Sequence, residues 1–111
     1  MHWQYRAART SITIFKFLNS PLNLQLEQKY ALVSGSHRGT GLMIANALSR
    51  EGAQVFFHSI RQGDSISPAN AVDNGIAVWG DITTDEGTKQ LFSMVAEHTD
   101  SVDILINNLG N

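Results

Sequence analysis

The sequence predicts a doubly wound α/β fold on a parallel sheet, and three observations carry that expectation. Short apolar runs alternate with segments of helical periodicity between residues 29 and 111. The runs are apolar at every position rather than at every second one, the pattern of strands covered on both faces. The first run ends at a glycine-rich turn that leads directly into a helix.

Tyr30-Ala31-Leu32-Val33 is the first such strand. Residues 40–51 follow with Gly41, Ile44, Ala45 and Leu48 at helical spacing, and Gly52 stands where a C-terminal cap belongs. Gln54-Val55-Phe56-Phe57 is the second buried run. Residues 61–74 are rich in Gly, Ser, Asp, Asn and Pro and allow at most a short helix near Pro68–Val72. Ile76-Ala77-Val78-Trp79 is the third strand. Thr83 and Glu86 then have capping-box spacing, and Asp85 and Glu86 suit the positive end of a helix dipole. Thr88, Leu91, Phe92 and Val95 give that helix one apolar face. Asp103-Ile104-Leu105-Ile106-Asn107 is the fourth strand.

Composition narrows the function classes. With 111 residues, 42% apolar and 16% charged, the chain suits one small globular domain. It has no cysteine, which excludes disulfides, thiolate metal sites and cysteine nucleophiles. A formal charge of −2 gives no general drive toward nucleic acid, and no apolar run is long enough to cross a bilayer. No metal constellation has a supporting context, so neither nucleic acid, membrane nor metal is an expected partner.

Charge divides the chain in two. Residues 1–29 carry Arg6, Arg9, Lys16 and Lys29 against Glu27, whereas residues 30–111 carry four basic and nine acidic side chains. Residues 1–28 therefore read as a loosely ordered N-terminal extension, with Pro21 near its boundary, and residues 29–111 as the folded body. Lys16 interrupts the apolar run Ile12–Leu18, unlike a secretory core. The basic, hydroxylated composition also suits an organellar transit peptide; an extension on a cytoplasmic protein is the favoured reading.

The turn Ser34-Gly35-Ser36-His37-Arg38-Gly39-Thr40-Gly41 is where chemistry is expected. Gly35 permits a tight exit from the strand, Gly39 leaves room for a pyrophosphate to approach the backbone, and Gly41 lets the helix pack closely. The first amides of the helix then face an anion, assisted by the helix dipole. The spacing G-x-x-x-G-x-G differs from the G-x-G-x-x-G dinucleotide fingerprint, and no Gly-Lys-Ser/Thr follows as in a P-loop.

Here residues 29–111 resemble the N-terminal part of the short-chain dehydrogenase/reductase family, most of all its 3-oxoacyl-(acyl carrier protein) reductase-like members. Ser34-Gly35-Ser36-His37-Arg38-Gly39-Thr40-Gly41 is similar to the family's T-G-x-x-x-G-x-G, with serine first. Gly80-Asp81-Ile82-Thr83 resembles its D-[VIL]-[ST] segment, and Asn107-Asn108-Leu109-Gly110 its N-N-A-G, with leucine for alanine. The resemblance implies the first half of a Rossmann-type sheet, about four strands in the order 3-2-1-4, with the fourth left as an open edge. It also implies roles. The backbone around Ser36, Arg38, Gly39 and Thr40, in the turn that Gly35 and Gly41 shape, would hold the pyrophosphate and adenosine end. Asp81 would accept from the adenine amino group beside the Ile82 backbone. Asn108, Leu109 and Gly110 would pass under the adenine-side ribose toward the nicotinamide half. The residues alone leave plainer alternatives: Asp81 could cap its own turn, Asn107 and Asn108 could close a strand end, His37 and His58 read as surface or loop histidines, and Trp79 as a packing residue.

A site for NAD(H) usually has an acid at the end of the second strand to bind the ribose hydroxyls. His58-Ser59-Ile60 stand there, and the next acid is Asp64. Arg38 lies in the glycine turn and Arg61 just beyond the second strand, close after Ser59, and guanidinium groups suit a 2′-phosphate. NADP(H) is therefore expected over NAD(H).

The resembling family places its serine and its Tyr-x-x-x-Lys beyond the N-N-A-G segment. The tyrosines here are Tyr5 and Tyr30, followed four residues on by Arg9 and Ser34. No catalytic residue is assigned, and the chain by itself is expected to bind cofactor without transferring hydride, as a truncated form of the enzyme. The alternative is a non-catalytic module that binds a dinucleotide or pairs, through its open edge, with a full-length relative or another copy.

Overall fold

The computed structural model describes residues 4–7 and 26–108. In chain order these form β1 (Gln4–Ala7), β2 (Tyr30–Val33), α1 (Gly39–Arg50), β3 (Gln54–Ser59), α2 (Ile66–Asn70), β4 (Gly75–Trp79), α3 (Asp85–Ala96) and β5 (Ser101–Ile106). All strand pairs are parallel, in the order β1-β5-β2-β3-β4. The four strands expected from sequence therefore lie in the expected 3-2-1-4 arrangement.

The alternation of side chains along each strand sorts the core into two layers. Ala31 and Val33 of β2 and Val55 and Phe57 of β3 face one side, where Ile44, Ala45, Ala47 and Leu48 of α1 and Ala69 of α2 pack on them. Leu32 and Phe56 face the other, against Leu91 and Val95 of α3, with Val78 and Val102 completing the layer. Tyr30 stacks on Phe56 at 5.7 Å between ring centroids, and His98 meets Phe56 edge-on at 5.9 Å. Because both faces are covered, the strands carry no polar alternation. Trp79 is half-buried at the end of β4.

Two expectations differ from the structure. The edge of β5 is not open: β1 pairs with it, Gln4 opposite Ser101, Tyr5 opposite Val102 and Ala7 opposite Leu105, with an irregularity after Tyr5. Strand addition uses main-chain groups, so a four-residue strand needs no recognisable apolar pattern. The cap of α3 is Thr84 rather than Thr83: Thr84 Oγ1 accepts from the Gly87 amide at 2.9 Å. Thr83 instead bonds Asp81. Residues 8–25 of the N-terminal extension, together with Leu109, Gly110 and Asn111, lie outside the described residues.

Candidate dinucleotide-binding site

The carboxyl ends of β2, β3, β4 and β5 converge on one cleft of about 560 Å³. Gly35, His37, Arg38, Gly39 and Thr40 line it from the β2–α1 turn; His58, Ile60, Arg61 and Asp64 from the end of β3; Ile82 from beyond β4; and Asn108 from beyond β5. Crevices at this end of a parallel sheet, where successive crossovers turn to opposite faces, are where open α/β sheets bind ligands.

The turn is shaped to present backbone. Gly39 has φ +63°, and a Cβ built there would meet nothing within 4 Å, so open space lies over it. At Gly41 a Cβ would stand 2.5 Å from both the Gly35 carbonyl oxygen and Asn108 Nδ2. Only glycine lets α1 come this close to the turn and to the exit of β5. Arg38 is the N-cap of α1 in extended conformation (φ −160°), makes no side-chain cap, and no acid occupies the first turn. The positive end of α1 is thus left unneutralised beside the cleft. Among the described residues, His37 Nδ1 is a buried side-chain polar atom with no partner, and it belongs to this same wall.

Buried hydroxyls hold the turn from below. Ser36 is fully buried; its Oγ donates to the Val33 carbonyl at 2.6 Å and accepts from the His58 amide at 2.8 Å, while its own amide donates to the His58 carbonyl at 2.9 Å. Ser34 Oγ accepts from the Asn108 amide at 2.7 Å, and Asn108 Nδ2 reaches the Gly35 carbonyl at 3.5 Å. Ser59 is also fully buried and donates to the Arg61 carbonyl at 2.8 Å, which fixes the chain where it leaves β3. Asp81 Oδ1 accepts from the Thr83 hydroxyl at 2.6 Å and the Thr83 amide at 3.0 Å. Those two bonds, the hydroxyl first, hold its carboxyl below the ordinary value of 3.8.

Of the residues singled out in the sequence, Gly35, Arg38, Gly39, Thr40, Arg61, Ile82 and Asn108 come together on the cleft wall. Ser36, Gly41 and Ser59 are buried and do not line it, their hydroxyls or missing Cβ being engaged in building the turns, and Asp81 stands outside the lining, its carboxylate bonded to Thr83. Leu109 and Gly110 lie outside the described residues. His58 reverses the expectation of a surface histidine: it is 1% exposed, with Nδ1 accepting from the Gly35 amide at 2.9 Å and Nε2 2.8 Å from the Gly80 carbonyl. The available signal was its position at the end of a strand buried on both faces, where a polar side chain needs partners. Ile60, exposed beside the cleft, was likewise not singled out.

These residues fit an adenine dinucleotide: an uncapped helix terminus and a glycine with open space for a diphosphate, apolar Ile60 and Ile82 for a flat ring, and two guanidinium groups on the rim. Comparison with known proteins bears on the family. The family model for short chain dehydrogenases matches residues 29–111. The chain is 37% identical over 95 residues to the uncharacterized oxidoreductase YvaG of Bacillus subtilis, covering 80% of this chain and 34% of that protein. It is 36% identical over 88 residues to the 3-oxoacyl-[acyl-carrier-protein] reductase FabG of Vibrio cholerae, covering 78% and 36%. Among solved structures, the Pseudomonas aeruginosa RhlG/NADP active-site complex superposes with TM-score 0.74 at 30% identity, over 83% of this chain and 38% of that one. L-sorbose reductase from Gluconobacter frateurii, complexed with NADPH and L-sorbose, gives TM-score 0.75 at 26% identity, over 81% and 36%. The chain thus spans about a third of the length of the relatives it matches. The glycine turn, the cleft at the sheet's carboxyl edge and the matched family model together make this chain a member of the short-chain dehydrogenase family.

Proposed function

We propose that residues 29–111 are the cofactor-binding portion of an NADP(H)-dependent carbonyl or alcohol oxidoreductase. The observation that carries this reading is the uncapped, acid-free start of α1 facing a cleft whose rim holds Arg38 and Arg61. The amides of Gly39, Thr40 and Gly41 would receive the diphosphate, and Arg38 and Arg61 the 2′-phosphate. Ile60 and Ile82 would flank the adenine, with Asp81 and the Ile82 backbone at its amino edge. Asn108, Leu109 and Gly110 would continue toward the nicotinamide, which supplies hydride exchange when bound. That two superposing relatives are complexes with NADP and NADPH supports the choice of cofactor.

Within these 111 residues the protein's part is binding and orientation. Tyr5 and Tyr30 lack a lysine four residues on, so this stretch holds a dinucleotide without an assigned proton donor for a carbonyl. A module that docks through the β5 edge is less well supported, because β1 takes that edge.

Calorimetric titration of the chain with NADPH and NADH tests the proposal. A charged hydrogen bond contributes about 1.5–3 kcal/mol, so NADPH should bind roughly tenfold to a hundredfold more tightly. Arg38→Ala should remove most of that preference and leave NADH binding nearly unchanged. Equal affinity for both cofactors, or tighter binding of NADH, contradicts it.

A further inference from the structure

His58 stands at the meeting point of the two lips of the cleft. Its ring touches Gly35 of the β2–α1 turn on one side and Gly80, just before Asp81, on the other. The backbone partners fix the chemistry. The Gly35 amide can only donate, so Nδ1 must present a lone pair; the Gly80 carbonyl can only accept, so Nε2 must carry the proton. Only the neutral ring satisfies both. The His58 main chain adds two bonds to Ser36, which leaves residues 35 and 36 attached to β3 at three points.

We propose that His58 is a positioning residue whose neutral ring ties the phosphate-binding turn to the end of β4, so that protonating it releases Gly35 and weakens cofactor binding. This rests on the dinucleotide-binding reading above and assigns that site a sensitivity to protons. A second proton on the ring would sit on Nδ1, donor against donor, opposite the Gly35 amide. The titratable and charged groups that share the cleft wall with the ring are His37 and Arg38 on the turn and Arg61 and Asp64 after β3, and Asp81 follows Gly80 in the chain. Burial disfavours the charged ring and lowers its pKa from 6.5, with His37 acting in the same direction and the Gly80 carbonyl opposing. The uncharged latch is therefore the state at neutral pH, and its release belongs to acid conditions.

The test is NADPH titration of the full chain between pH 5 and 8, with His58→Gln and His58→Phe alongside. Glutamine offers one acceptor and one donor at about the spacing of the ring nitrogens and cannot take up a proton in this range; phenylalanine fills the space without bonding. At pH 8, His58→Phe should bind about tenfold more weakly, and His58→Gln within about threefold of the wild type. The cofactor's own phosphate also titrates in acid, so the reading is the difference between chains: wild-type affinity should fall more steeply below pH 6.5 than that of His58→Gln. Nitrogen-15 spectra of the wild type should show the His58 proton on Nε2 at neutral pH. Wild-type binding that His58→Phe leaves unchanged, or the same pH profile in His58→Gln, overturns the latch alone. A folded wild-type chain that binds no dinucleotide at pH 8 overturns the latch together with the reading it rests on.

Discussion

Helices α1 and α3 are each 12 residues long, and both start from an N-cap residue in extended conformation. Their first turns are nonetheless opposites. α3 is closed by its own residues: Thr84 Oγ1 takes the Gly87 amide, and Asp85 and Glu86 lie against the positive end of the dipole. α1 follows Arg38, an N-cap residue whose side chain makes no cap, and has no acid in its first turn. A cation at a helix N-terminus is unfavourable by a few tenths of a kcal/mol to about 1 kcal/mol, and a missing cap costs about 1 kcal/mol more. One helix end is built for stability. The other forgoes that stabilisation and leaves its positive field uncompensated by its own side chains, where the proposed function places the diphosphate.

The largest way to break this contrast is to give α1 the terminus of α3. Arg38→Asp places a carboxylate acceptor at an N-cap that already has the right backbone conformation. Thermal unfolding should move up, by about 0.5–1 kcal/mol of added stability, while NADPH affinity drops more than about a hundredfold from the lost guanidinium and the new repulsion. Gain in stability without loss of binding would show that the open terminus is not the phosphate site. Gly41→Val attacks the approach of α1 instead. Its Cβ would collide with the Gly35 carbonyl and the Asn108 amide, at a cost of about 1–3 kcal/mol in stability. Denaturant unfolding should report that loss, and cofactor titration should report the displaced turn. Thr84→Ala is the complementary change at the closed end. It should cost about 1 kcal/mol, visible as a fall in Tm of about 4–8 °C, and leave cofactor affinity where it was.

The smallest expected effect is the pH dependence of the unliganded chain. The His58 pKa is lowered in the folded state from 6.5, so the unfolded chain binds more protons between the folded value and 6.5. Stability from this residue is complete above pH 6.5 and is lost as pH falls through the folded value. Urea midpoints taken from pH 7.5 downward should decline in that direction for the wild type and less so for His58→Gln.

The same contrast explains what could be read from the residues. The strands were legible because burial on both faces leaves continuous apolar runs such as Ala31–Val33 and Val55–Phe57. The glycine turn was legible because the close approach at Gly41 and the positive φ at Gly39 each demand glycine. Thr83 and Thr84 are not distinguishable in the sequence because adjacent hydroxyls have equal capping chemistry; the bonds from Thr83 to Asp81 decide between them, and these depend on how β4 delivers Asp81. β1 is not legible in the sequence because main-chain pairing leaves little trace in side chains. The burial of His58 leaves no local trace for a related cause: its partners are the backbones of Gly35 and Gly80, more than 20 residues away in either direction.

The central claim is that the first amides of α1 receive a dinucleotide's diphosphate. Backbone amide spectra of the labelled chain, recorded while NADPH is added, test it most directly. Gly39, Thr40 and Gly41 should shift strongly, and Asp85, Glu86 and Gly87 at the start of α3 should stay in place. Binding that leaves residues 39–41 unmoved, or that shifts the two helix starts alike, would contradict the account.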